Sequence, residues 1–98
     1  MKATFKSATG TSFHNTTFSA TVGDLRKILG EPCCEQNDGE DKVNFEWVME
    51  TNDGEVFTVY DWKEYHVIDE LEEEIDWHIG GNSRNVTEKA LKEIEAAL

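Results

Sequence analysis

Residues 76–91 read DWHIGGNSRNVTEKAL, an indole and an imidazole followed by paired glycines, a short polar turn and a run with helical spacing. A strand that passes through Gly80-Gly81 into a helix start would expose backbone N–H groups, and the helix dipole there favours an anion. Arg84 adds a guanidinium suited to a bidentate contact with phosphate or carboxylate, with Asn82 and Ser83 completing the turn. Tyr60, Trp62, Tyr65 and Trp77 offer faces for a nucleobase, and His78 offers a hydrogen bond. The chemistry these types would perform together is nucleotide binding. A plainer reading requires no ligand: the glycines permit a sharp turn, Trp77 fills the core and His78 lies on the strand surface. The spacing matches neither the phosphate-binding loop nor the dinucleotide fingerprint.

Catalytic signatures are weaker still. No serine sits in a glycine elbow, and no cysteine and histidine fall into an arrangement with an orienting acid. Cys33 and Cys34 are adjacent, a spacing that would strain a disulfide, and His14, His66 and His78 make no zinc-ligand pattern with them. His66 with Asp61 or Asp69 is a metal pairing in principle, but Asp/His proximity is common on an acidic surface. A non-enzymatic protein with no cofactor and no metal is expected.

Charge limits the partners. Nine basic against 21 acidic residues leave a formal net charge of −12 over 98 residues. A chain so acidic is repelled by a phosphate backbone, which disfavours direct DNA or RNA binding. The acids gather in residues 35–41 and again in 69–76, where Glu70, Glu72, Glu73 and Glu74 stand close together. Such runs are ordinarily solvated. The sharper reading is that they meet a basic patch on a partner protein, with Trp62 and Tyr65 as interface anchors. No segment has the length of a signal peptide's apolar run or approaches the roughly 18 apolar residues of a membrane span, so a cytoplasmic protein is expected.

The elements that must position these residues follow from periodicity. Residues 2–8 and 11–19 suggest two strands around Thr9-Gly10. Thr21 can cap a helix whose stripe is Val22, Leu25, Ile28 and Leu29, which Gly30 can end in the left-handed region and Pro32 forbids from continuing. Val43, Phe45, Trp47 and Met49 alternate with polar positions as in a half-buried strand. A three-residue loop, Asn52-Asp53-Gly54, would pair Met49 with Phe57 and Trp47 with Val59. A two-residue loop would instead oppose Glu50 and Phe57, so the first register is preferred. Tyr60 and Trp62 then share the opposite face with Thr58 and Glu46. A further strand is expected at 74–79, and a last helix from Ser83 or Asn85, where Asn85 and Glu88 resemble a capping box. The sum is one α+β domain over residues 1–98, β-β-α-β-β-β-α, with about five largely antiparallel strands and two helices on one face.

LRKILGEP, DKVNFEW, DGEVFTVYDWKEY and DWHIGG, in this order over roughly residues 20–91, resemble a family of small, mostly uncharacterised proteins encoded by bacteriophages. The resemblance implies a phage accessory protein acting in an infected bacterial host cell, without implying an activity. Two functions are compatible with it. One is a sponge that sequesters a small nucleotide immune signal through Tyr60, Trp62, Trp77, His78 and residues 80–84, with a homo-oligomer building the pocket. The other is an acidic inhibitor or DNA mimic that binds a host defence protein, such as a nuclease or CRISPR-type complex.

Overall fold

The computed structural model describes all of residues 1–98. The chain runs β1 (Lys2–Ala3), β2 (Ser12–Ala20), α1 (Val22–Leu29), β3 (Cys34–Glu35), β4 (Phe45–Glu50), β5 (Val56–Tyr60), β6 (Ile75–Gly81) and α2 (Arg84–Ala97). The protein is α+β: six strands pair antiparallel in the order β1-β4-β5-β6-β2, and β3 joins the outer edge of β4. The preferred hairpin register is present, with Met49 opposite Phe57 and Trp47 opposite Val59. Its loop closes through Gly54 N–H to the Thr51 carbonyl (2.8 Å), and Gly54 has a φ of +83°, a conformation open to glycine.

One face of the sheet is apolar. Phe45, Trp47, Met49, Phe57, Val59, Ile75, Trp77 and Ile79 meet Val22, Leu25 and Leu29 of α1 and Val86, Ala90 and Ile94 of α2 in a single core. At its centre Trp47 and Trp77 pack edge to face, 5.5 Å between ring centres. Their indole N–H groups donate to carbonyls that flank α1: Trp77 to that of Ala20, the last residue of β2 before the Thr21 cap (2.9 Å), and Trp47 to that of Gly30, the C-terminal cap (2.8 Å). Each tryptophan thus buries its ring and satisfies its polar atom beside one end of the helix. Thr21 caps α1 by accepting from Asp24 N–H, and Gly30 leaves it with a φ of +84°.

Three local expectations are corrected. The first strand covers only Lys2–Ala3, because β1 and β2 lie at opposite edges of the sheet and residues 4–11 must carry the chain between them. Cys34–Glu35 form a short sixth strand, their backbone captured by the open edge of β4. The last helix is capped by Ser83, whose hydroxyl accepts from Val86 N–H, and not by Asn85, which lies inside the helix. No helix is long and apolar enough to cross a membrane.

Candidate functional site

The Gly80-Gly81 pair is not a turn. Both residues belong to β6, between β2 and β5, with Ser12 and Phe57 opposite Gly81 and Phe13 and Thr58 opposite Gly80. Their backbone is taken up by the sheet and is unsuited to cradle an anion. What the glycines provide is room. A Cβ on Gly80 would stand 2.5 Å from Thr58 Oγ1, and one on Gly81 would stand 3.0 Å from Thr87 Cγ2 on α2. Trp77 is withdrawn from the ligand set as well, since it is fully buried in the core. Asn82 and Ser83 serve the connection to α2, while Arg84 reaches back to Glu88 at 3.0 Å. Gly80, Gly81 and Trp77 thus serve the sheet and core, while Asn82, Ser83 and Arg84 are exposed at the start of α2.

The remaining aromatic candidates converge elsewhere. Alternation puts Glu46, Thr58, Tyr60, His78 and Gly80 on the sheet face away from the helices. Trp62, two residues beyond β5, stands edge-on to Tyr60 (6.4 Å, 82°). Tyr60 is 5.5 Å from the His78 ring, which stacks on Phe13 at 4.3 Å. The four rings make a continuous band from β2 across β6 and β5 into the following loop. Beside it lies an open hollow of about 280 Å³, with Tyr60, Trp62 and Val43 as walls, Glu46 and Thr58 as polar groups, and Gly80, Thr11 and Ser12 completing it. That volume lies just below the usual range of ligand sites, about 300 to 1,000 Å³. A larger hollow of about 440 Å³ between α1 and the end of α2 contains no aromatic side chain.

Cations also reach Trp62. The ammonium groups of Lys42 and Lys63 lie 5.8 and 5.7 Å from the centre of its ring, within cation–π range. Lys63 N–H donates to the Lys42 carbonyl at 2.7 Å, and Lys63 has a φ of +58°, uncommon for a residue with a side chain. Lys2, Lys6 and Lys89 are held in ion pairs, whereas no carboxylate lies within 4.0 Å of either Lys42 or Lys63. Two cations without a carboxylate partner thus stand beside Trp62, while Glu46 borders the hollow and Asp76, Glu64 and Asp61 act on His78.

Burial sets the protonation of its polar groups. It lifts the Glu46 carboxyl above the ordinary carboxylate range and raises the Tyr60 hydroxyl, which the nearby Glu46 charge raises further. His78 is lowered by burial against the opposing pull of Asp76, Glu64 and Asp61, so its imidazole favours the neutral form. A neutral imidazole and an acceptor carboxyl can read a heterocycle edge; the aromatic band can stack on its face.

Asp61 has a structural role. Fully buried, it accepts from Asn44 N–H (2.8 Å), Phe45 N–H (2.8 Å) and the Asn44 side-chain amide (2.9 Å), so it anchors the start of β4 and is no metal partner for His66. His66 instead pairs with Glu73, which raises the imidazole and lowers the carboxyl. The other acids named from sequence are divided. Glu70 accepts from Arg26 Nε at 2.9 Å, while Glu72 and Glu74 are exposed on the 61–74 loop with Tyr65, Val67 and Leu71.

Sequence reasoning placed Tyr60, Trp62 and Glu46 on one face but did not place Lys42, Lys63 or Phe13 there. Phe13 arrives only through the pairing of β2 with β6, and the lysines only through the contact between two loops. No family model, curated protein or solved structure matches the chain.

Proposed function

We propose that the open sheet face binds a small nucleotide without transforming it. The observation that supports this reading is a hollow walled by Tyr60 and Trp62 and bordered by the Glu46 carboxyl, with the Lys42 and Lys63 ammonium groups outside its lining but within reach of the Trp62 ring. These are the three elements nucleotide recognition requires: a face to stack on, a group to read the base edge, and cations for phosphate. In this reading a base displaces a lysine from the Trp62 ring, and that ammonium turns to the phosphate. His78 and Phe13 extend the stacking surface. Taken with the resemblance to phage-encoded proteins, the function is sequestration of a nucleotide signal of bacterial defence.

A second reading rests on a different observation. Trp62, Tyr65, Val67 and Leu71 are exposed along one loop that also presents Glu72 and Glu74. Apolar anchors inside an acidic rim fit a basic groove on a host defence protein. The readings share Trp62 and differ in everything else.

Calorimetric titration with mononucleotides and cyclic nucleotides separates them. The nucleotide reading expects saturable binding that Trp62→Ala weakens about ten- to a hundredfold, as base stacking of about 1–3 kcal/mol implies. Replacing Lys42 and Lys63 together by Ala should weaken charged nucleotides and leave nucleosides unaffected. Absence of saturable binding by any nucleotide in the panel, with a host protein captured in a manner that Glu72→Lys and Glu74→Lys abolish, would establish the acidic interface instead.

A further inference from the structure

The short strand β3 has a chemical consequence. Pairing sets Cys34 opposite Glu46, and Cys33 N–H donates to the Glu46 carbonyl at 2.8 Å. The two thiols and the Glu46 carboxylate therefore converge at the edge of the sheet, their donor atoms within 4.8 Å of one another. The separation of the two sulfurs is 3.7 Å. Zinc bound tetrahedrally, with Zn–S bonds of about 2.3 Å, spaces two thiolate ligands by about 3.8 Å. The sulfurs already stand at that spacing, and adjacent cysteines in a regular strand would point to opposite faces.

We infer that Cys33, Cys34 and Glu46 form a binding site for one zinc ion. Two thiolates exclude magnesium and calcium, which take oxygen ligands, and one carboxylate beside them suits zinc better than a purely soft cation. Three protein ligands leave the fourth position to water or to a ligand. Both cysteines are free and exposed, so a cation can enter without opening the core. Binding replaces the two thiol protons by the metal and releases them to solvent; no oxidant or reductant takes part. Because Glu46 also borders the aromatic hollow, a bound ion would set its carboxylate at the hollow's rim. The inference stands whether or not the hollow binds a nucleotide.

Cobalt(II) reports on the site, since thiolate coordination gives a near-ultraviolet charge-transfer band that surface carboxylates cannot produce. The reduced full-length protein is titrated with cobalt(II), then with zinc against a chromophoric chelator. The expected result is one cobalt per chain with the thiolate band, displaced by one equivalent of zinc. Cys33→Ser and Cys34→Ser should each remove most of the band. Glu46→Gln should keep it while weakening affinity at least about tenfold, the smaller of the losses seen when even an outer-shell partner is removed. Glu73→Gln, at the unrelated His66 pair, should change nothing. Failure of the wild-type protein to develop the band overturns the site, whatever the variants do. A band requiring two chains per metal overturns it too, since four thiolates from two copies would replace the carboxylate.

Discussion

Gly81 faces the helix layer, and its hydrogen is all that separates β6 from Val86 and Thr87 at the start of α2. Adding a methyl there must push the helix outward or force its side chains from their rotamers. Gly81→Ala is expected to lower unfolding free energy by about 1–3 kcal/mol, the usual cost of overpacking, read from urea denaturation. Asp61 works by the opposite principle, since it supplies acceptors to three buried donors. Asp61→Ala leaves those donors without partners, at about 1–3 kcal/mol for each one left unsatisfied. The expected total is about 3 kcal/mol or more, with residues 43–45 losing amide protection first. Both residues lie within motifs that sequence reading associated with a ligand. Gly81 was legible as a position needing glycine, but which neighbour required it depended on how α2 packs. Asp61 was not legible, because nothing local in YDWK says that its carboxylate turns inward toward residues 44 and 45.

At the scale of elements, α1 is held by groups distant in sequence. The two core tryptophans bond the carbonyls that flank it, Gly23 N–H donates to the Glu70 carbonyl at 2.7 Å, and Arg26 gathers Glu31, Glu35 and Glu70. The acid-rich loops are joined to each other as well. The Asn37 side chain exchanges two hydrogen bonds with the Ile68 backbone (2.8 and 2.7 Å), and Gly39 passes so close to His66 that a Cβ would come within 2.7 Å of its backbone. The two acidic runs stay solvated, as composition suggests, but their loops are joined through Asn37 and Ile68, and Arg26 pairs with Glu35 of one and Glu70 of the other. Arg26→Ala should cost about 1–2 kcal/mol: charged hydrogen bonds lie near 1.5–3 kcal/mol, reduced here by solvent screening of partly exposed carboxylates. Hydrogen exchange should show the loss as faster opening at Gly23 and along 69–73. The helices, the hairpin and its register were legible because periodicity and turn chemistry act locally. The strand at Cys34–Glu35 and the loop contact that brings Lys42 to Lys63 were not, because each is created by a distant edge or loop.

Across the whole molecule, a net charge of −12 opposes compaction. Added monovalent salt should therefore raise the thermal midpoint until screening is complete. Ion pairs at two carboxylates, Glu50 and Glu73, give the pH dependence its limbs. Lys6 and Lys2 hold the Glu50 carboxyl below its ordinary range. That contribution is fully present above the unfolded carboxylate pKa and is lost as pH falls through the depressed folded value. The stability difference between wild type and Lys6→Ala should accordingly shrink on acidification. His66 has the reverse sign: Glu73 raises its imidazole, so its contribution is fully present below the ordinary imidazole pKa and is lost as pH rises through the folded value. Denaturation of Glu73→Gln from pH 5 to 9 should accordingly approach wild type at the alkaline end.

The most direct measurement of the nucleotide reading is native mass spectrometry of the wild-type, Trp62→Ala and Arg84→Ala proteins, each incubated with a panel of cyclic and linear nucleotides. An open-face site predicts a nucleotide mass retained by wild type and by Arg84→Ala and lost from Trp62→Ala. Bare protein in every wild-type spectrum would contradict nucleotide binding, and retention abolished by Arg84→Ala but not by Trp62→Ala would return the site to the start of α2.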